Sequence, residues 1–192
     1  MLVGGVLSDI KGNVKVGSSE YFVTEACEYM DSFLHLRPRV EIILNIDSDH
    51  LDYFKDIDHI TESFRRFAEL VPASGTVVAY DANPFVKSVC SDLKCNVVTF
   101  GFSSSSDFYA SKIKFNKFGH PSYDLFRRGE RMGRIQLSVP GEHNVANSLA
   151  AIAACDSIGV GLDAIVPTLE TFKGTQRRFD VVGSTEKGAT VV

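Results

Sequence analysis

Acidic and imidazole side chains crowd two short stretches of this sequence. Asn45, Asp47, Asp49, His50 and Asp52 fall within NIDSDHLD, and Glu25 and Glu28 fall within TEACE. Carboxylate oxygens suit hard cations such as Mg²⁺, and an imidazole joins when phosphate oxygens complete the shell. Each stretch closes an apolar run, YFV in one case and VEIIL in the other. If both runs are neighbouring strands of a parallel sheet, their carboxyl ends share the rim where such sheets bind ligands. Glu25 and His50 are then candidate metal ligands on that rim. Glu28 stays open between ligand and surface acid. Asp47 and Asp52 read as turn or cap residues of the kind common between a strand and a helix. His35, His59 and His120 lack such a context and read as surface or packing histidines.

Two further stretches carry polar chemistry. In GEHNVANSLAA (141–151), Gly141 permits a sharp entry, and His143, Asn144 and Asn147 sit on the first turns of a helix. Free N–H groups at a helix start, with Asn side chains that both donate and accept, suit a purine edge. Helix capping by Asn144 is the simpler physical account. In KGTQRRFD (173–180), Lys173, Arg177 and Arg178 flank a glycine. The guanidinium fork clamps phosphate or a ribose hydroxyl, and a solvated linker explains the same charges.

These residues need elements to hold them. EYFVTEA (20–26) and VEIILNI (40–46) read as buried strands. Ile57, Ile60, Phe64, Phe67 and Val71 recur at helical spacing, with Asp56 or Asp58 as cap and PASG (72–75) as the stop. TVVAY (76–80) is a strand. Asn83 and Pro84 open the next helix, where the missing proline N–H costs little. NVVTFGF (96–102) is another strand. The alternation predicts an α/β fold, a mostly parallel sheet flanked by helices. SSSSDFYASKIKFN, SYDLFRRG and GRIQLSVPG then predict a small antiparallel β extension, a meander at one edge. A strong helix through 141–159 ends at Gly159, and LDAIVPTLETF forms a second, with Pro167 as a point of interruption.

Composition sets outer bounds. The chain has 192 residues, 44% of them hydrophobic, which suits one cored domain. A formal net charge of −4 and a pI near 5.7 do not suit general nucleic-acid binding, and RRGERMGR reads as a solvated hairpin. No apolar run is long enough to cross a bilayer, and the N-terminus lacks the pattern of a secretory signal. Cys27, Cys90, Cys95 and Cys155 match no zinc spacing and read as free thiols in a reducing cytoplasm. Both ends, LVGGVLSDIKGN and GATVV, read as the interior of a longer protein.

Taken together, YFVTEACEYMDSFLHLRP, ILNIDSDHLDYF, GEHNVANSLAAIAA and FKGTQRRFDVVG occur in an order and spacing that resembles the Mur ligases. The branch that adds alanine to UDP-N-acetylmuramate is the most similar. The resemblance implies an ATP-dependent ligase of peptidoglycan synthesis working through an acyl phosphate, with ATP and Mg²⁺ as cofactors. UDP-N-acetylmuramate and L-alanine would be the partners of the full-length enzyme, with neither nucleic acid nor membrane. It implies that residues 1–180 form the central ATP-binding domain, incomplete at its N-terminus, and that 181–192 begin the C-terminal domain or a linker. By motif match, Glu25 and His50 fall where the family places its catalytic magnesium ligands. Asn144, with His143 and Asn147, falls where it holds adenine, and Arg178 where it contacts the nucleotide.

Two departures accompany the match. The family's phosphate loop, GTHGKTT, is absent from these residues, so no ligation is expected from this chain by itself. The helix after DHLDYF also has no lysine to carry the carbamate of related branches, and offers Arg65 and Arg66 instead. Murein peptide ligases share these motifs, and a non-catalytic nucleotide-binding module is the reading from another class.

Overall fold

The structure is a computed structural model that describes residues 1–7, 9–175 and 183–191. Its centre is a sheet of six strands in sequence order: β3 (Val40–Ile43), β4 (Thr76–Tyr80), β5 (Asn96–Gly101), β6 (Phe108–Phe115), β7 (Pro121–Arg127) and β8 (Glu130–Gln136). β3, β4 and β5 run parallel, and β6 joins parallel to β5 through Phe100↔Phe108 and Gly101↔Tyr109. The β6–β7–β8 part is antiparallel. The expected α/β architecture is therefore present, and the meander continues the main sheet.

β4 shows why the sheet is covered on both sides. Val77 and Ala79 pack against α1 (Ile57–Ala68) and α2 (Pro84–Cys90), while Val78 faces α3 (Glu142–Ser157). A strand buried on two faces has no room for polar alternation, hence the unbroken TVVA run. α3 lies on the second face with α4 (Leu162–Thr171), above Phe100, Tyr123, Leu125 and Ile135. Tyr123, fully buried, bonds through its hydroxyl to Ser148 of α3 at 2.6 Å, which satisfies both groups. Pro167 lies inside α4 without ending it.

The helix ends follow the predicted chemistry. Asp56 caps α1 by accepting from the His59 N–H at 2.8 Å. Asn83 caps α2 by accepting from Phe85 and Val86 at 2.9 and 3.0 Å. Its amide nitrogen also donates to the Ile46 carbonyl at 3.0 Å. That second bond ties the loop after β3 to α2. Asn83→Ala should therefore lower the unfolding free energy by about 1–2 kcal/mol, read as a lower Tm. A change within error would mean that the cap and the tether are both replaced by water.

Residues 20–26 correct an expectation. They form no strand of the main sheet, and Tyr21, Phe22 and Val23 are exposed at 49%, 70% and 60%. Their backbone pairs with β1 (Leu2–Leu7), through Leu2 N–H to Val23 O at 2.8 Å and Glu25 N–H to Leu2 O at 3.0 Å. Apolar side chains suited them to burial, but a single short partner on one side leaves no layer to cover them. β1 pairs antiparallel with β2 (Gly12–Val14), and β9 (Gly183–Ser184) pairs with β10 (Thr190–Val191). The domain boundary expected at 180 lies outside the described residues.

Candidate functional site

The parallel strands end together, and the loop that leaves β3 carries the acidic cluster. Residues 44–50 run out along the rim, and His50 reverses the chain in the left-handed region at φ 52°. Non-glycine residues reach that region at a cost of about 1 kcal/mol, and such strain gathers at functional sites. Asp49 eases it by accepting the His50 N–H at 2.7 Å. The His50 carbonyl takes the N–H groups of Tyr53 and Phe54, both at 2.9 Å, which closes the turn.

The facing wall is a short 3-10 segment, Tyr29–His35, in which Met30 and Asp31 adopt φ 55° and 57°. Phe33 fixes it to α1, 4.4 Å from the Phe67 ring and 5.3 Å from Phe64. Polar latches do the rest. Tyr29 donates to Asp52 at 2.9 Å, and its ring lies 4.8 Å from that of His50. The hydrogen bond and charge of Asp52 push the Tyr29 hydroxyl above its ordinary pKa. Asp31 accepts from Tyr53 at 2.9 Å and from Ser63, and Arg66 stands 3.6 Å away. Arg65 instead donates to the Ser88 carbonyl at the end of α2.

This framework brings Glu28 to His50, with Oε1 3.3 Å from Nε2. Glu28, Asp49 and His50 each offer a ligand atom within 4.8 Å of the others. Glu28, Asn45, Asp47 and Asp49 line one cleft of about 240 Å³, floored by Phe54 and Ile60. Among the described residues that line it, none is cationic. Two carboxylates and an imidazole with no balancing cation fit a divalent ion. Donors around such an ion stand about 2.1 Å from it, so small side-chain shifts would close the set.

Glu25 is placed differently. Its Oε2 accepts the Gly4 N–H at 2.6 Å. Among the described residues no hydrogen bond or ion pair joins it to His50. Of the expected pair, His50 thus stands beside Glu28, which the sequence left open, and nothing in the sequence announced Tyr29, Asp31 or Gly4. The EYMDSF stretch gives no sign that Met30 and Asp31 are left-handed.

The start of α3 reaches the same rim. Burial, then the charges of Asp81 and Glu142, raise the pKa of Tyr80 at the end of β4. Gly141 enters the helix at φ 95°, and a Cβ there would stand 2.5 Å from the His143 ring. Asn144 donates to the Pro140 carbonyl at 2.7 Å and accepts from Asn147 at 3.2 Å. Its Nδ2 is 3.2 Å from His143 Nε2. Asn144 here ties down its own loop, with the exposed His143 and Asn147 beside it. Arg178 lies outside the described residues.

Residues 8–155, which carry the parallel sheet, the acidic loop, the 3-10 wall and the helix start, match the family model of the Mur ligase middle domain. The chain belongs to the Mur ligase family. Curated relatives include the UDP-N-acetylmuramate–L-alanine ligases of Alkaliphilus metalliredigens, 48% identical over 192 residues, and Clostridium acetobutylicum, 45% identical over 192 residues. This Mur ligase chain is covered in full by both but spans 42% of either relative's length. Among solved structures, the UDP-N-acetylmuramate–alanine ligase of Thermotoga maritima aligns with a TM-score of 0.80 at 26% identity, covering 96% of this chain and 40% of that one. A ligase from Neisseria meningitides that joins UDP-N-acetylmuramate to L-alanyl-γ-D-glutamyl-meso-diaminopimelate aligns with a TM-score of 0.80 at 28% identity, covering 92% and 58%.

Proposed function

We propose that this Mur ligase chain is the nucleotide- and metal-binding part of an ATP-dependent enzyme that joins L-alanine to UDP-N-acetylmuramate in peptidoglycan synthesis. The observation that carries the reading is the convergence of Glu28, Asp49 and His50 on the strand-end rim of a Mur ligase middle domain. The names and 45–48% identity of the two curated relatives support alanine as the amino acid.

In the proposed reaction the substrate carboxylate attacks the γ-phosphorus of ATP, ADP leaves, and an acyl phosphate forms. The alanine amine then attacks the carbonyl carbon, phosphate leaves, and the amine gives up its proton to solvent. Bound Mg²⁺ would supply charge neutralisation to the phosphates. Glu28, Asp49 and His50 would hold it, with Glu25 as the further ligand that the family resemblance implies. Tyr29 and Asp31 fix the wall that presents Glu28. Asn144, His143 and Asn147 would meet the adenine, and Arg178 the nucleotide. GTHGKTT does not occur in this sequence, so turnover is proposed for the full-length protein and not for this chain alone.

The test measures ADP release by the full-length protein with ATP, Mg²⁺ and UDP-N-acetylmuramate. L-alanine should support turnover, and the tripeptide L-alanyl-γ-D-glutamyl-meso-diaminopimelate should not. Preference for the tripeptide would convert the reading to a murein peptide ligase. Nucleotide binding with no ADP release from either acceptor would leave a binding module.

A further inference from the structure

The two candidate carboxylates, Glu25 and Glu28, are held by different means. Glu28 rides on the 3-10 wall, whereas Glu25 is gripped by the hairpin. Leu2 bridges Thr24 in parallel, and the bonds from Leu2 N–H to Val23 O and from Glu25 N–H to Leu2 O set the register. In that register Gly4 stands opposite the Glu25 side chain and donates its N–H to Oε2 at 2.6 Å. A charge-assisted bond of this length is of the strong kind. A Cβ on residue 4 would lie 2.8 Å from Oε2 and 3.4 Å from Cδ. With a Cβ on residue 4 the carboxylate would have to move from this place.

We propose that Gly4 is a positioning residue that aims the Glu25 carboxylate. Its N–H orients Oε2, and its missing Cβ opens the space. Among the described residues no hydrogen bond reaches Oε1, which leaves it for a divalent cation. The neighbouring Gly5 serves another purpose. A Cβ there would meet the Thr175 side chain at 3.1 Å, so Gly5 lets the far edge of the hairpin close on residue 175, which Leu7 bridges. This inference rests on the proposed metal-binding role of Glu25.

The experiment compares Gly4→Ala, Gly5→Ala and Glu25→Gln in the full-length protein, each titrated with Mg²⁺ at saturating ATP. Gly4→Ala should raise the Mg²⁺ concentration for half-maximal activity on the order of tenfold, the size of one lost charge-assisted hydrogen bond. The KM for L-alanine should not move. Gly5→Ala should lower Tm without changing the Mg²⁺ dependence. Adding Glu25→Asp to Gly4→Ala withdraws the carboxylate by one methylene and should recover part of the loss. Unchanged Mg²⁺ dependence in Gly4→Ala, beside an impaired Glu25→Gln, overturns the positioning role alone. An unimpaired Glu25→Gln overturns the Glu25 reading, and the positioning role with it. If Gly4→Ala does not fold, the amide proton of Gly4 decides by NMR. It should resonate downfield and move upfield in Glu25→Gln, and an unmoved resonance overturns the proposal.

Discussion

His50→Ala in the full-length protein should cut ATP-dependent ligation by about 10²–10³-fold while leaving the domain folded. The side chain is 36% exposed, so its loss opens little cavity. Alanine inherits the same left-handed backbone at φ 52° and adds no strain that histidine did not already bear. What disappears is the nitrogen 3.3 Å from Glu28 Oε1, the one imidazole donor of the cluster. In the proposed site, a cation between incoming phosphates and these carboxylates would be held by several ligands at once. Losing one weakens the charge neutralisation that lowers the barrier. Excess Mg²⁺ should restore part of the rate, which would not happen if His50 touched only the substrate. Ligation within threefold of the parent, at limiting Mg²⁺, would remove His50 from the metal site. Asp49→Asn is a milder change, because Asp49 is 76% exposed and also serves as acceptor for the His50 N–H at 2.7 Å.

Much of this fold is legible because local rules and burial agree. The α1 face, the Asp56 and Asn83 caps, the Pro84 start and the Gly159 stop at φ 81° all stand where spacing and residue type put them. TVVAY reads as a strand, and it is one, with its first four residues buried. Tyr21, Phe22 and Val23 show the limit. Their types tell that they can be buried, but not whether a neighbouring layer exists to bury them. The site was legible in parts for a similar reason. His50 follows an apolar run in an acidic stretch, which is a one-dimensional signal. The pairing of Glu28 with His50 depends on two successive left-handed residues, Met30 and Asp31, held by Tyr53, Ser63 and Arg66 from distant parts of the chain. No spacing rule encodes that reversal. Glu41 was equally invisible, since VEIIL reads as an apolar strand with one tolerated acid.

Glu41 should make this domain lose stability as the pH rises through neutrality. It is 3% exposed in β3, and among the described residues neither carboxylate oxygen has a hydrogen-bond partner. β3 pairs it with Val77, and Cys90 and Cys95 lie close enough for Glu41 to help raise their pKa values, after burial. Arg65, the nearby cation that acts on Cys90, is engaged with the Ser88 carbonyl. Burial pushes Glu41 from 4.5 up to about 8. The folded state therefore holds the proton more tightly than the unfolded chain does. The contribution is fully present below about pH 4.5, erodes as the unfolded chain ionises, and is lost once the pH passes about 8. At about 1.4 kcal/mol per pH unit, the total across this window is about 3–5 kcal/mol, a large share of a typical domain's stability. Glu41→Met keeps the volume and removes both the proton and the orphaned oxygens. Urea unfolding at pH 5.5 and pH 8.5 should show the parent much weaker at the higher value and Glu41→Met nearly unchanged between them. Parallel pH dependence in the two proteins would mean that Glu41 is solvated or paired in solution. A flattened profile in Glu41→Met would show that one buried acid on the strand leading to the candidate metal rim sets the alkaline limit of the fold.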